Sequence, residues 1–266
     1  MLRCFIVISN PSKKPTTKGE IGMKLYAIGG DGNYAIVSSK GATVVAYTAG
    51  KYPILYPQTQ MGSKTRGGIP ICFPFLGSPK EGFSSIPKHG WLRDEDLTLA
   101  KQTNSYLLFR GHTQDRIEFP WFVVYEAGVE IKSGDGSLSL SLTASRLRDD
   151  VDGLAPANPA FHFYFINLGG GRSVLVDDEV FEVSPFGNSR EIPVGRKILI
   201  DIGPKVVRMV LTGDFNGDSR LNLWSDSSDY FCAEPELTSR SAFGTSKGKS
   251  LGQGESVKIE CSLSVL

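Results

Sequence analysis

Two segments bring together residue types that recognise a charged sugar. One is Arg66-Gly67-Gly68-Ile69-Pro70-Ile71-Cys72-Phe73-Pro74-Phe75; the other, after a loop, is Pro87-Lys88-His89-Gly90-Trp91-Leu92-Arg93. Glycines let a backbone approach a ligand closely and prolines stiffen its path. Arg66 and Arg93 offer forked donors, and Trp91 or Phe73 would cover the apolar face of a sugar ring. These are the parts of an anion-plus-sugar pocket. The same residues also admit a plainer account, in which Gly67 and Gly68 make a turn, Phe73 and Phe75 are core, and Arg93 pairs with Asp94, Glu95 or Asp96.

Proton transfer has two candidates. His162 lies in Asn158-Pro159-Ala160-Phe161-His162-Phe163-Tyr164-Phe165, where aromatic neighbours would enclose an imidazole able to exchange a proton near neutral pH. A buried histidine simply hydrogen-bonded within an aromatic strand is the alternative. Glu234 follows Phe231-Cys232-Ala233 at what reads as the end of an apolar strand; a solvated carboxylate is the bland alternative there, and Glu236 is an equal candidate by composition. A three-histidine metal site would need His89, His112 and His162 together, and their spacing lacks HxH or HxxxH, so no metal is expected. Gly244 to Ser250 ends like a phosphate-binding loop but is one residue short between its glycines and lacks the strand-to-helix context; it reads as a flexible loop. No G-x-S-x-G elbow supports a serine hydrolase, and no second carboxylate motif completes a glycosidase pair.

The elements that must hold these residues read as strands. Thirty glycines and 15 prolines punctuate 266 residues, and no stretch gives a long amphipathic helix with both caps. Leu138, Leu140 and Leu142 alternate with Ser139, Ser141 and Thr143, the period of a strand with one buried face. Trp121 to Ile131 is rich in aromatic and β-branched residues, and the small, polar Lys132 to Ser137 should join the two as a hairpin. A second hairpin is expected where Val206 to Leu211 runs through Asp214-Phe215-Asn216-Gly217-Asp218 into Leu221 to Trp224. Further strands are expected at Ala42 to Tyr47, Ser105 to Arg110, Ser173 to Val183 and Val257 to Val265. The economical architecture is all-β, one domain over residues 21–266 in two large packed sheets, preceded by a mobile leader over 1–20.

Composition excludes several classes. With 40% hydrophobic residues, 21% charged and a net charge of +1, neither a disordered chain nor a general nucleic-acid-binding field is favoured. No window approaches the roughly 18 to 20 apolar residues of a membrane span, so a soluble cytoplasmic protein with no membrane or nucleic-acid partner is expected. Cys4, Cys72, Cys232 and Cys261 lie far apart with no CxxC pair, which favours reduced thiols.

Taken in order, Arg66-Gly-Gly-Ile-Pro70, Pro87-Lys-His-Gly-Trp-Leu-Arg93, Phe161-His-Phe-Tyr-Phe165 and Tyr230-Phe-Cys-Ala-Glu-Pro235 resemble the motif series of aldose 1-epimerase-like proteins, closest to the glucose-6-phosphate 1-epimerases, also called hexose-6-phosphate mutarotases. The resemblance spans nearly the whole chain from about residue 30. It implies a β-supersandwich of galactose mutarotase type, a hexose 6-phosphate as partner, and no cofactor; the chain is expected to act as a monomer. It matches His162 to a general acid, Glu234 to a general base, Arg66 and Arg93 to phosphate contacts, and His89 to a site histidine. Imidazole and carboxylate should then meet across one cavity wide enough for a pyranose, with the histidine tuned modestly upward. Lys88 departs from the pattern, standing where glutamine is usual and adding positive charge beside Arg93. A further site aspartate has three candidates, Asp177, Asp178 and Asp201. A mutarotase for neutral hexoses and a non-catalytic sugar-phosphate-binding protein are the competing functions.

Overall fold

Alternation along the strands builds the molecule. In a computed structural model that describes residues 23–113, 116–132, 135–147 and 151–266, Leu138, Leu140, Leu142 and Ala144 are buried while the serines and threonine between them face the other way. The strand Leu138–Arg146 pairs antiparallel with Val123–Ile131 on one side and Ser256–Val265 on the other. Ile131 opposes Leu138, so the expected hairpin closes here. A one-residue slip would turn every leucine to the wrong face, forfeiting ~1.5 to 3 kcal/mol for each. Serines set the outer face: Ser139 and Ser262 hydroxyls lie 2.9 Å apart across the pair.

These three strands are the middle of a nine-stranded sheet. In spatial order it runs Glu179–Glu182, Ser173–Val176, Ile198–Asp201, Val206–Gly213, Ser256–Val265, Leu138–Arg146, Val123–Ile131, Tyr106–His112 and Thr98–Gln102. The single strand expected from Ser173 to Val183 is therefore two, folded back on each other. A second, six-stranded sheet runs Arg190–Pro193, Arg220–Trp224, Tyr230–Glu236, Ala160–Phe161 and Ile71–Cys72, with Phe163–Ile166 also paired to Tyr230–Glu236. Its inner side chains, including Phe161, Phe163, Phe165, Phe231 and Ala233, join those of the nine-stranded sheet in one continuous apolar cluster. Leu25–Gly30, Asn33–Ser38, Val44–Ala49 and Tyr52–Pro53 form a four-stranded sheet that contributes Ile28, Val37 and Val44 to the same cluster. The architecture is thus all-β, with more pieces than the two sheets expected.

The second expected hairpin does not form. Val206–Gly213 pairs with Ile198–Asp201 and Ser256–Val265, whereas Arg220–Trp224 pairs with Arg190–Pro193 and Tyr230–Glu236 in the other sheet. The Asn216 turn chemistry is present, with the Asp218 amide donating to Asn216 Oδ1 at 2.8 Å, but it turns the chain from one sheet to the other. Local turn residues determine that the chain bends, not which strand it meets next.

Cys72, Cys232 and Cys261 are buried free thiols. No helix of the described residues is long and apolar enough to cross a membrane. Cys4 and the leader expected over 1–20 lie outside the described residues.

Candidate active site

The six-stranded sheet has a second face, and alternation supplies its residues. Phe161 and Phe163 turn into the core, so His162 between them must turn out; Phe231 and Ala233 turn in, so Tyr230, Cys232, Glu234 and Glu236 share the opposite side. Phe163 opposes Ala233 in register, which brings His162 level with Glu234. His162 Nε2 stands 3.1 Å from Glu234 Oε1, and both side chains are almost wholly buried. The imidazole stacks on the Tyr164 ring, 4.5 Å between centroids and 8° between planes. Its backbone amide donates to the Pro70 carbonyl at 3.0 Å, tying it to the Arg66–Phe75 segment. Acid and base candidates therefore stand side by side in one wall, rather than across a cavity as the sequence led us to expect.

That wall closes a cavity of about 540 Å³, within the range of ~300 to 1,000 Å³ typical of small-molecule sites. Of the residues singled out from the sequence, Arg66, Lys88, His89, Arg93, His162 and Glu234 line it. Lys88 and His89 arrive on a loop whose path depends on Gly90. Gly90 has φ of +74°, and a Cβ there would fall 1.8 Å from the Phe73 carbonyl oxygen. The loop is latched by the His89 amide donating to the Gly77 carbonyl at 2.7 Å and by the Gly77 amide donating to His89 Nδ1 at 3.2 Å. Nδ1 is thereby an acceptor, and burial, with Arg93 and Lys88 nearby, lowers His89 to about 3. A neutral His89 presents its Nε2–H as a donor.

Cations dominate the rim, each held differently. Arg66 is committed to Asp226, 2.7 Å from Nη2, and lies 5.4 Å over the Trp224 ring; the Tyr230 hydroxyl donates to the same aspartate. Among the described residues Arg93 has one ion-pair contact, a loose one, Nε to the exposed Asp94 carboxylate at 3.9 Å. Lys88 is exposed and makes no ion pair among the described residues. The acidic run after Arg93 does not lie in a strand: Leu92–Asp94 is a 3-10 turn, which sends Glu95 to Arg116 at 2.8 Å and leaves Asp94 at the pocket mouth.

Two expected contributors are elsewhere. Trp91 and Phe73 are core residues, Trp91 donating its indole N–H to the Tyr125 hydroxyl at 2.9 Å, so neither covers a sugar face. Trp224 and Tyr164 line the cavity instead. Of the aspartates considered, Asp177 accepts from the Arg196 and Lys197 amides and Asp201 from the Gly203 amide, both capping turns; neither they nor Asp178 line the cavity. His112 faces Phe122 and the Thr113 carbonyl, away from the other two histidines.

Asn222 and Arg240 escaped the sequence reading. Asn222 opposes Glu234 in register and donates Nδ2–H to its Oε2 at 2.7 Å; Arg240 Nη2 lies 3.2 Å from the same oxygen. Arg240 is only six residues beyond Glu234, the one clue available. Burial raises Glu234 to about 7, with Arg240 and Asn222 pulling the other way. Burial, reinforced by nearby positive charge on Arg93, Arg240 and Arg66, pushes His162 well below its ordinary value. This reverses the modest upward tuning expected, because desolvation depends on the packed neighbours and not on residue type. Cys232 Sγ completes a group with His162 and Glu234 whose ligand atoms lie within 4.8 Å. Burial, reinforced by Glu234, holds that thiol well above its ordinary range, and a protonated thiol is a poor metal ligand.

No family model and no curated protein matches the chain. Solved structures do. The galactose mutarotase related enzyme of Lactobacillus acidophilus superposes with a TM-score of 0.73 at 14% identity, covering 91% of this chain and 97% of that one. Galactose 1-epimerase from Lactobacillus acidophilus NCFM gives 0.66 at 14%, over 95% and 97%. The Slr1438 protein of Synechocystis sp. PCC 6803 gives 0.70 at 19%, over 95% and 99%. The fold is of galactose mutarotase type.

Proposed function

We propose that this protein interconverts the α and β anomers of a hexose 6-phosphate by acid/base ring opening and reclosure. The observation that carries the proposal is the buried contact between His162 and Glu234 in the wall of a sugar-sized cavity whose rim holds Lys88 and Arg93. O1 and the ring oxygen of an aldopyranose are both bonded to C1. An acid and a base that serve them together belong side by side, as these two are.

Glu234 takes the proton from the C1 hydroxyl while His162 gives one to the ring oxygen; the C1–ring-oxygen bond breaks and the C1 carbonyl forms. Rotation about C1–C2 presents the other face. On reclosure His162 recovers its proton from the C5 hydroxyl as the oxygen attacks C1, and Glu234 returns its own to the former carbonyl oxygen. The balance is zero, and these steps call for no metal or organic cofactor. Each placed proton-transfer group contributes ~10² to 10⁴ in rate.

The reactive state is carboxylate with imidazolium, and burial of His162 opposes the imidazolium. A phosphate drawn to Lys88, Arg93 and Arg66 would offset the cations that disfavour imidazolium, so that His162 takes up its proton from solvent when substrate is bound. The charged substrate thus helps assemble its own acid.

Exchange spectroscopy by NMR on freshly dissolved α-glucose 6-phosphate tests the proposal, with galactose and glucose in parallel. Acceleration of the phosphorylated anomers, lost in His162→Ala and Glu234→Gln, is expected. An interconversion rate equal to the uncatalysed one would refute catalysis, and equal acceleration of neutral sugars would refute phosphate selectivity.

A further inference from the structure

A second buried carboxylate stands behind the first. Glu234 and Glu236 are two apart on Tyr230–Glu236 and share a face, and Arg240, in the 3-10 turn Arg240–Ala242 that follows, folds back over both. Its Nη2 is 3.2 Å from Glu234 Oε2, its Nε 3.3 Å from Glu236 Oε1, and its Nη1 3.3 Å from the Ser189 hydroxyl. The arginine stem passes over Gly77, where a Cβ would sit 3.5 Å from Cδ. Glu236 is completely buried, and neither of its oxygens has a well-formed hydrogen bond among the described residues.

We propose that Glu236 is a positioning residue: as a neutral carboxylic acid it anchors the Arg240 guanidinium beside Glu234 and leaves the whole of that positive charge to Glu234. This inference rests on the acid/base reading of Glu234.

One guanidinium cannot compensate two desolvated carboxylates, and a buried carboxylate without hydrogen bonds neutralises by taking up a proton. Of the two, Glu234 has Asn222, Arg240 and His162 around its oxygens, whereas among the described residues Glu236 has Arg240 alone within ion-pair distance. The proton therefore belongs on Glu236. The other groups facing it do not change this. Glu191 and Glu234 add negative charge, and Lys80 and Arg240 positive; Arg220, its register partner, spends its Nη1 on the Gly217 and Ser219 carbonyls, and the Cys72 thiol is buried. Burial is the main cause that raises Glu236 to about 9, in the same direction. A neutral carboxyl still keeps a polar oxygen 3.3 Å from Arg240 Nε, so the contact holds the guanidinium without dividing its charge.

The test compares Glu236→Gln, which keeps shape and neutrality, with Glu236→Ala, which removes the anchor. Infrared spectra in D₂O at pH 8, where Glu234 is ionised, should show the carbonyl stretch of a protonated carboxyl in the unaltered protein and lose it in E236Q. Identical spectra would overturn the proposal. In anomer exchange, E236Q should keep the acid-limb midpoint of kcat, while E236A should raise it by about one pH unit, a tenfold loss well below the midpoint. A midpoint that moves in E236Q, or stays in E236A, would also overturn it. Should E236A not fold, the infrared comparison decides alone. Should the protein catalyse no anomer exchange, the proposed function fails separately, and ¹³C titration of Glu234 in wild type, E236A and E236Q reads the same shift.

Discussion

Lowering the pH from 8 to 5 should switch catalysis off through Glu234. Burial raises this carboxyl from an ordinary 4.5 to about 7, against the pull of Arg240 and Asn222. The sign follows directly: below the midpoint Glu234 carries a proton and cannot accept one, so kcat falls tenfold per pH unit. At pH 5 about a hundredth of the plateau remains, whereas a glutamate at the ordinary value would keep about three quarters. Asn222→Ala provides a second arm. It removes a donor 2.7 Å from Glu234 Oε2, and a hydrogen bond to a charged group is worth ~1.5 to 3 kcal/mol, so the midpoint should climb by one to two units at most. The assay is NMR exchange between the anomers of glucose 6-phosphate at saturation, with the uncatalysed rate subtracted at each pH. Saturation matters because the substrate's own phosphate titrates near about 6. An acid limb at or below pH 5, or one unmoved in N222A, would refute the assignment of Glu234 as a desolvated base.

Three further outcomes are expected. Arg93→Met, which removes a rim cation with only a loose partner, should raise KM for a hexose 6-phosphate at least about tenfold while leaving KM for a neutral hexose unchanged; an equal rise for both would contradict a phosphate role. Gly90→Ala should lower the thermal unfolding midpoint, since a Cβ 1.8 Å from the Phe73 carbonyl forces the Pro87–Arg93 loop out of place, adding to a positive-φ strain of ~1 to 3 kcal/mol; an unchanged midpoint would show that the loop adapts freely. Glu236 ionises near 4.5 in the unfolded chain and near about 9 in the fold, so the native state binds more protons between those values and stability falls as pH rises, by at most about 1.4 kcal/mol per unit; urea unfolding from pH 5 to 8 should show a flatter dependence in E236Q, and parallel curves would contradict it.

Much of the site was legible before any coordinates. Leu138 to Thr143 announces its strand because burial on one face imposes a period of two, and the register with Val123–Ile131 follows from that periodicity and a short polar connection. His162 and Glu234 stood out because each interrupts an apolar run, which is where a strand with one buried face must carry a different kind of chemistry on the other. The turn at Asn216 shows the converse. Its residues specify a bend, but packing chooses the partners of Arg220–Trp224, which are Arg190–Pro193, 27 to 33 residues upstream, and Tyr230–Glu236, 8 to 16 residues downstream, both in the other sheet. For Phe73, and for Trp91 beside it, the sequence left a core and a sugar face open for a related reason: an aromatic ring suits both equally well, and only the surrounding contacts decide.

Residue types and their alternation by themselves indicated that the chain is built of strands, and put forward His162 and Glu234 for proton transfer and Arg66 and Arg93 for an anion. Tertiary structure alone decided that imidazole and carboxylate touch at 3.1 Å, that Asn222 and Arg240 flank the carboxylate, and that Glu236 sits buried behind it. The physical reason is that proton affinity depends on desolvation and on charges a few ångströms away, and both are set by residues distant in the chain that the sheet register brings together.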